Sequence, residues 1–564
     1  MGAQDRMPAG TLRRSTGTHQ TKKHLLRSRP GSTLLYSVSA HSLFRFADAR
    51  FQGVGTELLR NGASVKTGLD GSRLRFVRMP PTVGVVDYLF VAGGGDLFKV
   101  DSAGAATNWG IDAPTANPTA ADNGAGTMGV GTYQYRITFR NQTTGQRSNG
   151  NPTAASVTII ASRQVRVSSI PTSSDTQVSR REVWRTQAGG VQFFLLATIS
   201  DNTTTTYDDN TADASLGSTA LPTDNTPPDD RYRAVAGPYY GRAFWARINI
   251  NGQRGRCAYS ASGRPGSDVG FLDVTNDDDP TQELVLWNGS LWAFTESRLF
   301  QILGTDEPFT YREAQGAPGT VDPESVCATP YGIVYKANDG LRLFNGAASR
   351  IIGEESVVLL FRGETLEGIS SLGTAVAHAY GRDEYFVSDG TVTLAVNVSD
   401  GTWRNVGVAC TALFYEDDTG KLIASIGAKV LLFEEVSVLT DDGTAISFEV
   451  ETPALISDVK KPAMLQRVYV EANTRSQWLT PRVLIDGVVT VLPQFQSSAR
   501  TTQEFSILSS GRVMSVRLTG NVSDQVEVFG VEADVDLGAE PITPSPVVGS
   551  KEGVVSVAQA QAAT

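Results

Sequence analysis

The stretch Gly332-Ile-Val-Tyr-Lys-Ala-Asn-Asp-Gly-Leu-Arg-Leu-Phe-Asn-Gly346 reads as two apolar strands joined by an Asn-Asp-Gly turn. Asn, Asp and Gly tolerate the positive φ angles of a tight hairpin, and the flanking residues have the aliphatic and aromatic character of strands. The pattern recurs in seven copies, which start at Phe51, Tyr88, Arg242, Ser290, Gly332, Glu384 and Gly420. The repeat predicts a series of antiparallel hairpins.

The spacing of these hairpins indicates the architecture. Their turns lie near Gly55, Gly94, Asn251, Glu296, Asp339, Asp389 and Gly427, and the successive gaps are about 39, 157, 45, 43, 50 and 38 residues. A β-propeller blade takes about 40 to 50 residues. One gap is far too long, and an insertion of about 114 residues at 112–225 would reduce it to about 43. We therefore predict an all-β protein, a β-propeller of six to eight blades with an inserted domain.

The inserted stretch has strands and turns of its own. Short apolar strands begin at Gly131, Ser156, Gln164, Arg181 and Phe193, and turn residues separate them. This alternation predicts a β-sandwich. The full prediction is a basic N-terminal arm (1–30), a first propeller part (31–111), the inserted β-sandwich (112–225), a second propeller part (226–446), a small C-terminal β domain (447–537) and an extended tail (538–564).

Composition narrows the possible functions. The chain has 49 Lys and Arg against 59 Asp and Glu, a formal charge of -10, which argues against a protein that grips nucleic-acid phosphates. Cys257, Cys327 and Cys410 are an odd set without C-x-x-C spacing, so neither a disulfide scaffold nor a thiolate metal site is expected. No apolar run is long enough for a membrane helix.

The N-terminal arm is basic. Before Pro30 it carries seven Lys or Arg and only Asp5 as an acid, and it lacks the apolar segment of a secretory signal. A transit peptide, an arm that docks on a neighbouring subunit or on DNA, and a solvated tail all fit this composition. Both termini look irregular, so we expect them to become ordered mainly on neighbouring subunits.

A catalytic site is not expected. The chain has four His, two of them in the arm, which is too few for a convincing triad or metal cluster: His19, His24, His41 and His378. Carboxylates for glycoside hydrolysis could be chosen from Glu354, Glu355, Asp383 and Glu384. Charges of blade loops in water explain them more simply.

Three further motifs are predicted to be turns. Asn276-Asp-Asp-Asp and Tyr207-Asp-Asp-Asn lack the spacing of a calcium loop and are expected to be solvated. Gly93-Gly-Gly joins two strands and leads into no helix, so it is not a phosphate cradle. Ser399-Asp-Gly-Thr-Trp resembles a shortened Asp-box, which is a structural turn. We therefore predict no enzymatic activity, no cofactor and no metal.

Three blocks resemble the tail hub or nozzle proteins of short-tailed bacteriophages, also called tail accessory or DNA-stabilisation proteins. They are Arg29-Pro-Gly-Ser; the run through Leu299-Phe-Gln-Ile-Leu-Gly, Phe309-Thr-Tyr, Gly319-Thr-Val-Asp-Pro-Glu-Ser-Val and Asn338-Asp-Gly; and Ala445-Ile-Ser-Phe-Glu-Val-Glu-Thr-Pro. The inserted domain is similar to the fibronectin-like modules of phage tails, through Tyr133-Gln-Tyr-Arg, Gly145-Gln-Arg-Ser, Arg185-Thr and Tyr207-Asp-Asp.

This resemblance implies a structural virion protein, assembled in the bacterial cytoplasm and located in the tail. It implies a homo-oligomer, a hexamer in such proteins, that forms a ring below the portal adaptor and conducts DNA without sequence-specific binding. The implied partners are the head-to-tail adaptor, tail fibres or spikes, a tail needle or plug, and the host cell surface. The alternative is a carbohydrate-binding or receptor-binding propeller protein.

Overall fold

The computed structural model describes residues 14–16, 18–20, 26–79, 87–352, 375–379, 383–399, 401–452, 454–456, 462–536 and 553–556. In these residues the regular structure is β-strands, with two short 3-10 helices at Asp213–Ser215 and Pro323–Ser325. The chain divides into two compact units. One contains residues 1–43 and 320–564, and the other contains residues 44–319.

The first four described strands are short, and three of them pair with strands far along the chain. They are β1 (Arg14–Thr16), β2 (Thr18–Gln20), β3 (Leu26–Ser28) and β4 (Gly31–Tyr36). The first two four-stranded sheets follow, here called blades 1 and 2. Blade 1 is β5 (Ser42–Phe46), β6 (Ala49–Val54), β7 (Glu57–Arg60) and β8 (Ala63–Lys66), and blade 2 is β9 (Leu74–Met79), β10 (Tyr88–Gly93), β11 (Phe98–Asp101) and β12 (Ala106–Asn108).

The inserted sandwich follows blade 2. Its seven strands are β13 (Thr119–Met128), β14 (Gly131–Arg140), β15 (Ala155–Ile159), β16 (Arg163–Ser168), β17 (Arg180–Thr186), β18 (Phe193–Ile199) and β19 (Tyr207–Asp209). They form one sheet in the order β13-β16-β19 and another in the order β15-β14-β17-β18. The two sheets enclose a core that includes Tyr133, Tyr135, Ile137, Val165 and Val183.

Two more blades belong to the unit of residues 44–319, here called the second unit; the unit of residues 1–43 and 320–564 is the first unit. Blade 3 is β20 (Ala234–Tyr239), β21 (Arg242–Ala246), β22 (Arg256–Ala261) and β23 (Arg264–Asp273). Blade 4 is β24 (Thr281–Trp287), β25 (Ser290–Thr295), β26 (Arg298–Leu303) and β27 (Thr310–Pro318). Apolar side chains of blades 1 and 2, of blades 2 and 3, and of blades 3 and 4 form shared cores.

Three more blades lie in the other unit. Blade 5 is β28 (Cys327–Thr329), β29 (Gly332–Ala337), β30 (Gly340–Phe344) and β31 (Ser349–Ile351), and blade 6 is β32 (Ala375–Ala379), β33 (Glu384–Ser388), β34 (Thr393–Asn397) and β35 (Trp403–Asn405). Blade 7 is β36 (Cys410–Glu416), β37 (Lys421–Ile426), β38 (Lys429–Glu435) and, from the start of the chain, β4. Leu431 pairs with Leu34 across this junction.

The fold is thus the predicted one: an all-β protein of propeller blades with an inserted sandwich. Each of the seven predicted hairpins forms the two middle strands of one blade, for example β29 and β30 at Gly332–Phe344. These strands are buried on both faces, which explains their continuous apolar sequence. The described part of the chain therefore contains seven blades, within the predicted range of six to eight.

The C-terminal domain is a second sandwich. Its strands are β39 (Ile446–Glu451), β40 (Leu455–Ile456), β41 (Ala463–Asn473), β42 (Thr480–Ile485), β43 (Val488–Val491), β44 (Thr501–Gly511), β45 (Val513–Val522) and β46 (Glu527–Asp536), and β47 (Gly553–Ser556) adds to β46. Its core includes Phe448, Val468, Val470, Leu518 and Val531.

The expectation of an irregular N-terminus is wrong for the strands of the basic arm that the structure describes. Strand β1 lies between β35 and β39, and it links blade 6 to one sheet of the C-terminal sandwich. Strand β3 pairs with β2 and with β46 of the other sheet. Backbone hydrogen bonds to the edges of both sheets order these segments within the chain itself. Residues 1–13 lie outside the described part.

Candidate functional site

The inserted sandwich is joined to the blades by a buried polar network around Lys99, here called the mount. Lys99 lies on β11 of blade 2, and its Nζ donates to the carbonyl oxygen of Trp109 at 3.1 Å and to Oε1 of Gln146 and Gln177 at 2.8 Å each. Gln146 follows β14 and Gln177 precedes β17, so two loops of the sandwich converge on one lysine of the propeller. The mount therefore fixes how the sandwich sits on blade 2.

Burial gives Lys99 an unusual acidity. Desolvation lowers the pKa of Lys99 to about 7, and the nearby charge of Asp175 opposes this shift. The three acceptors match the three N–H groups of a protonated ammonium. The hydrogen-bond geometry therefore favours the charged form of Lys99, whereas burial disfavours it. Gln177 joins the two groups, because its Nε2 donates to Asp175 Oδ2 at 2.8 Å. The charge of Lys99 is therefore coupled to the contact between two domains.

The two connections of the sandwich to the propeller also carry specific contacts. On the way in, Trp109 is buried, and its Nε1 donates to the carbonyl oxygen of Pro265 in blade 3 at 2.6 Å. On the way out, Asn149 donates to Thr226 Oγ1 at 3.1 Å, and Arg264 forms an ion pair with Asp224. Both connections thus contact blade 3, the first through Trp109 and the second through Asp224.

A cavity of about 490 Å³ lies beside the mount. Its wall comes from β12, the segment 112–116 that leads into the sandwich, and the loop 171–176. The side chains are mostly small and polar, with Asp112 and Asp175 as the acids and Phe139 as the aromatic group. Hydroxyl and carboxylate groups around a space of this size could hold a small polar molecule such as a sugar.

The other end of the sandwich presents uncharged loops, here called the distal tip: residues 129–131, 160–162 and 187–192. Val130, Ile160 and Val191 are 65%, 82% and 87% exposed. The loops are neighbours, since Gly131 pairs with Ile159 and the amide of Gly189 donates to the carbonyl oxygen of Thr132. Strand β14 spans ten residues between the distal tip and the mount, about 30 Å.

The acidic motifs considered for calcium are tied up in protein contacts. Asp209 is buried and accepts from Arg185 and from the hydroxyl of Tyr135, both at 2.8 Å. Asp279 is also buried. Burial raises its pKa, but hydrogen bonds from Ser297 and Arg298 outweigh this and lower the pKa below its usual value. The expectation of solvated turns is therefore wrong for both residues. In the described ranges no group of three or more His, Cys, Asp or Glu could hold a metal ion.

Glu384 is likewise not a charge in water. Its carboxylate accepts from Arg404, with 2.8 Å between Oε1 and Nε, and Arg404 also pairs with Glu434 at 2.8 Å. All three residues are buried, and both carboxylates raise the pKa of Arg404 although burial lowers it. Asp383 lies in the turn before β33, while Glu354 and Glu355 lie outside the described residues. A carboxylate held by a buried arginine is poorly placed to act as an acid or base.

The remaining sequence motifs have structural surroundings. Gly94 and Gly95 form the turn between β10 and β11, with φ of 56° and 77°. In Ser399-Asp-Gly-Thr-Trp, Asn397 accepts from the amide of Ser399 at 2.9 Å, and Trp403 packs against the core of blades 5 and 6. Burial raises the pKa of Cys257 and Cys410 to about 12, so neither thiol is activated.

The four histidines are not brought together as a described site. His41 Nδ1 lies 2.9 Å from Ser42 Oγ. His19 is on β2 and His378 on β32, where only the backbone is described, and His24 lies outside the described residues. Sequence reasoning missed the mount, because Lys99 and its glutamine partners lie 47 and 78 positions apart. The only available signal was a lysine within an apolar strand.

Comparison with known proteins gives no family. No known protein family and no curated protein matches the chain. Among solved structures, it is similar to the computationally designed protein Ika8, with 10% identity, 72% of this chain and 99% of that chain covered, and a TM-score of 0.31. It is also similar to PorZ, a surface component of the type-IX secretion system of Porphyromonas gingivalis, with 10% identity, 97% and 86% covered, and a TM-score of 0.27.

A third similar structure is an exo-beta-1,3-galactanase from Phanerochaete chrysosporium, with 10% identity, 52% of this chain and 95% of that chain covered, and a TM-score of 0.21. At such TM-scores these likenesses identify neither a family nor a function. Within the described residues, no helix has the length and hydropathy needed to cross a lipid bilayer.

Proposed function

We propose that this chain is a structural, non-enzymatic subunit of the tail hub or nozzle of a short-tailed bacteriophage. Its copies assemble into a ring, six by the resemblance to such proteins, below the portal adaptor. The ring conducts DNA during ejection and carries fibres or spikes on its outside. The observation that carries this proposal is the mount, because it fixes an inserted sandwich on two blades through buried side chains.

A rigid mount suits a docking function. A sandwich on a flexible linker would lose conformational entropy on every contact, whereas a fixed one presents its loops already oriented. The distal tip adds exposed aliphatic side chains about 30 Å from the mount. We propose that this end of the sandwich contacts a fibre or spike protein.

The charges support the same reading. The chain has a formal charge of -10, and an acidic channel wall would let DNA pass without adhering. The buried carboxylates Glu384, Asp209 and Asp279 are held by arginine partners, and this favours structural roles over catalysis.

Native mass spectrometry and projection imaging of the purified full-length chain test this function. We expect a closed ring of about six copies with a central channel, no sequence-specific DNA binding, and no hydrolysis of glycans or peptidoglycan. A chain that stays monomeric at every concentration would contradict the ring. Hydrolysis that disappears when one carboxylate is replaced would contradict the structural role.

The second candidate is a carbohydrate-binding propeller, which the cavity beside the mount favours. Saturation-transfer NMR with a panel of mono- and disaccharides tests it. Thr115→Trp would fill the opening, and Val191→Thr at the distal tip is the control. Binding that is lost in Thr115→Trp and kept in Val191→Thr would support this candidate over the hub.

A further inference from the structure

The outer edge of β46 is covered by strands from both ends of the chain. Strand β3 pairs with its first part, Leu26 with Val528 and Arg27 with Glu527. Strand β47 pairs with its last part, from Glu532 opposite Ser556 to Val535 opposite Gly553. The other edge of β46 pairs with β41. An exposed strand edge offers unpaired N–H and C=O groups to any extended segment, so this edge is a pairing site.

The two covers are attached differently. Strand β3 leads directly into the buried Arg29, and Ser28 exchanges hydrogen bonds with Val526, amide to carbonyl at 3.0 Å in one direction and amide to hydroxyl at 3.0 Å in the other. Arg27 adds an ion pair with Glu527 at 2.8 Å. Strand β47 has four residues and follows a long connection from β46. The first cover is therefore held by side-chain contacts as well as backbone pairing, whereas the second is joined to β46 through 17 residues of sequence.

The length of that connection exceeds what pairing within one chain needs. Val535 and Gly553 lie opposite each other, yet 17 residues separate them in sequence. Antiparallel neighbours are ordinarily joined by about two to five residues. The connection includes Pro541, Pro544 and Pro546 in its sequence, and a chain of 17 residues can span about 50 Å. The connection is therefore long enough to reach a neighbouring chain as well as its own β46.

We infer that strand β47 is exchanged between copies, so that Gly553–Ser556 of one chain pairs with the β46 edge of a second copy. The same four residue pairs form, and the connection bridges two subunits in place of closing a loop. Val554 and Val555 give the donated strand its β-propensity. This inference rests on the proposed homo-oligomer and assigns its link: each subunit in the ring holds the tail of its neighbour.

Disulfide trapping between separate chains tests the exchange. Glu532→Cys and Ser556→Cys occupy opposed positions on β46 and β47. One full-length chain carries Glu532→Cys and a second, differently tagged chain carries Ser556→Cys, and both also carry Cys327→Ser. The two chains are co-expressed and oxidised. Their remaining cysteines, Cys257 and Cys410, are buried. We expect a disulfide-linked pair that carries both tags. The control replaces Glu532→Cys with Ser506→Cys on β44, an exposed position at the other edge of the same sheet, and gives no linked pair.

A chain with both Glu532→Cys and Ser556→Cys completes the test. Exchange predicts that it forms linked multimers, whereas a disulfide only within single chains would overturn the inference, as would no disulfide in any sample. Native mass spectrometry of the same samples separates this inference from the proposed function. Oligomers without the two-tag disulfide would leave the ring standing and reject the exchange, whereas monomers with an internal disulfide would reject both.

Discussion

Arg404 shows how much a single residue can decide in this fold. It is buried between Glu384 and Glu434 on neighbouring blades of the first unit, and it forms ion pairs with both. Arg404→Met would leave two buried carboxylates without their partner, so we expect a loss of about 3 to 5 kcal/mol of unfolding free energy. Chemical denaturation of the purified protein measures this loss.

The control for Arg404 is an ion pair of the same type on the surface. Arg166 and Asp208 pair at 2.7 Å on the inserted sandwich, and both are about half exposed. Arg166→Met should reduce the unfolding free energy much less than Arg404→Met, because solvent screens an exposed ion pair. Equal costs for the two variants would show that burial does not set the importance of the Arg404 pair.

Lys99 predicts a pH dependence. Its pKa is about 7 in the folded protein, against about 10.4 for an unfolded lysine, so between these values the unfolded chain binds more protons than the folded one. The unfolding free energy of the second unit should therefore rise from pH 7 to pH 10. Lys99→Met should flatten this rise, whereas Lys429→Met, at a half-exposed lysine, should leave it. Thermal unfolding across this pH range measures both slopes, and equal slopes for all three proteins would refute the shift.

These residues also mark the limit of sequence reasoning. Glu384 was expected in water as a charge of a blade loop, yet its partner Arg404 follows 20 positions later on another strand. Asp209 was placed in a solvated turn, but Arg185 and Tyr135 enclose it. Pairing across strands decides whether a charge is buried, and a single sequence does not record that pairing.

At the scale of elements, prediction succeeded where burial on both faces of a strand produces a continuous apolar sequence. The middle strands of each blade are covered on both faces and therefore read as apolar runs, so all seven hairpins could be found. The edge strands β8 and β12 of blades 1 and 2 are short and partly exposed and carry no such pattern. The fourth strand of blade 7 could not be predicted, because it is supplied by β4 from the start of the chain.

The mount predicts the effect of one added methyl group. A Cβ on Gly266 of β23 would overlap Gln146 Nε2 and lie 2.6 Å from the carbonyl oxygen of Trp109, so Gly266→Ala should force the sandwich away from blade 3. We expect faster hydrogen exchange in the segment 109–116. Gly217→Ala is the control, since the nearest atom is 3.8 Å from its Cβ. Unchanged exchange in Gly266→Ala would show that the mount tolerates displacement.

At the scale of the molecule, the described strands of the N-terminal arm, β1 to β3, belong to the folded structure. Deleting residues 1–28 would remove β1 to β3 and would uncover the first part of the β46 edge. We expect a lower thermal midpoint and aggregation through the open edge. Arg27→Gln removes only the ion pair with Glu527 and should change stability by less than about 1 kcal/mol. Thermal unfolding with light scattering measures the stability and aggregation of both variants. A deletion variant as stable as the intact chain would show that the arm does not stabilise the fold.

The order of synthesis determines when blade 7 can form. Leu34 leaves the ribosome almost 400 residues before its partner Leu431. At about 5 to 20 residues per second, β4 waits for roughly 20 to 80 seconds while the intervening blades are made. A prematurely terminated chain never receives its partner strands, and β4 stays exposed. Blade 7 therefore forms completely only in a chain that has been translated beyond Glu435.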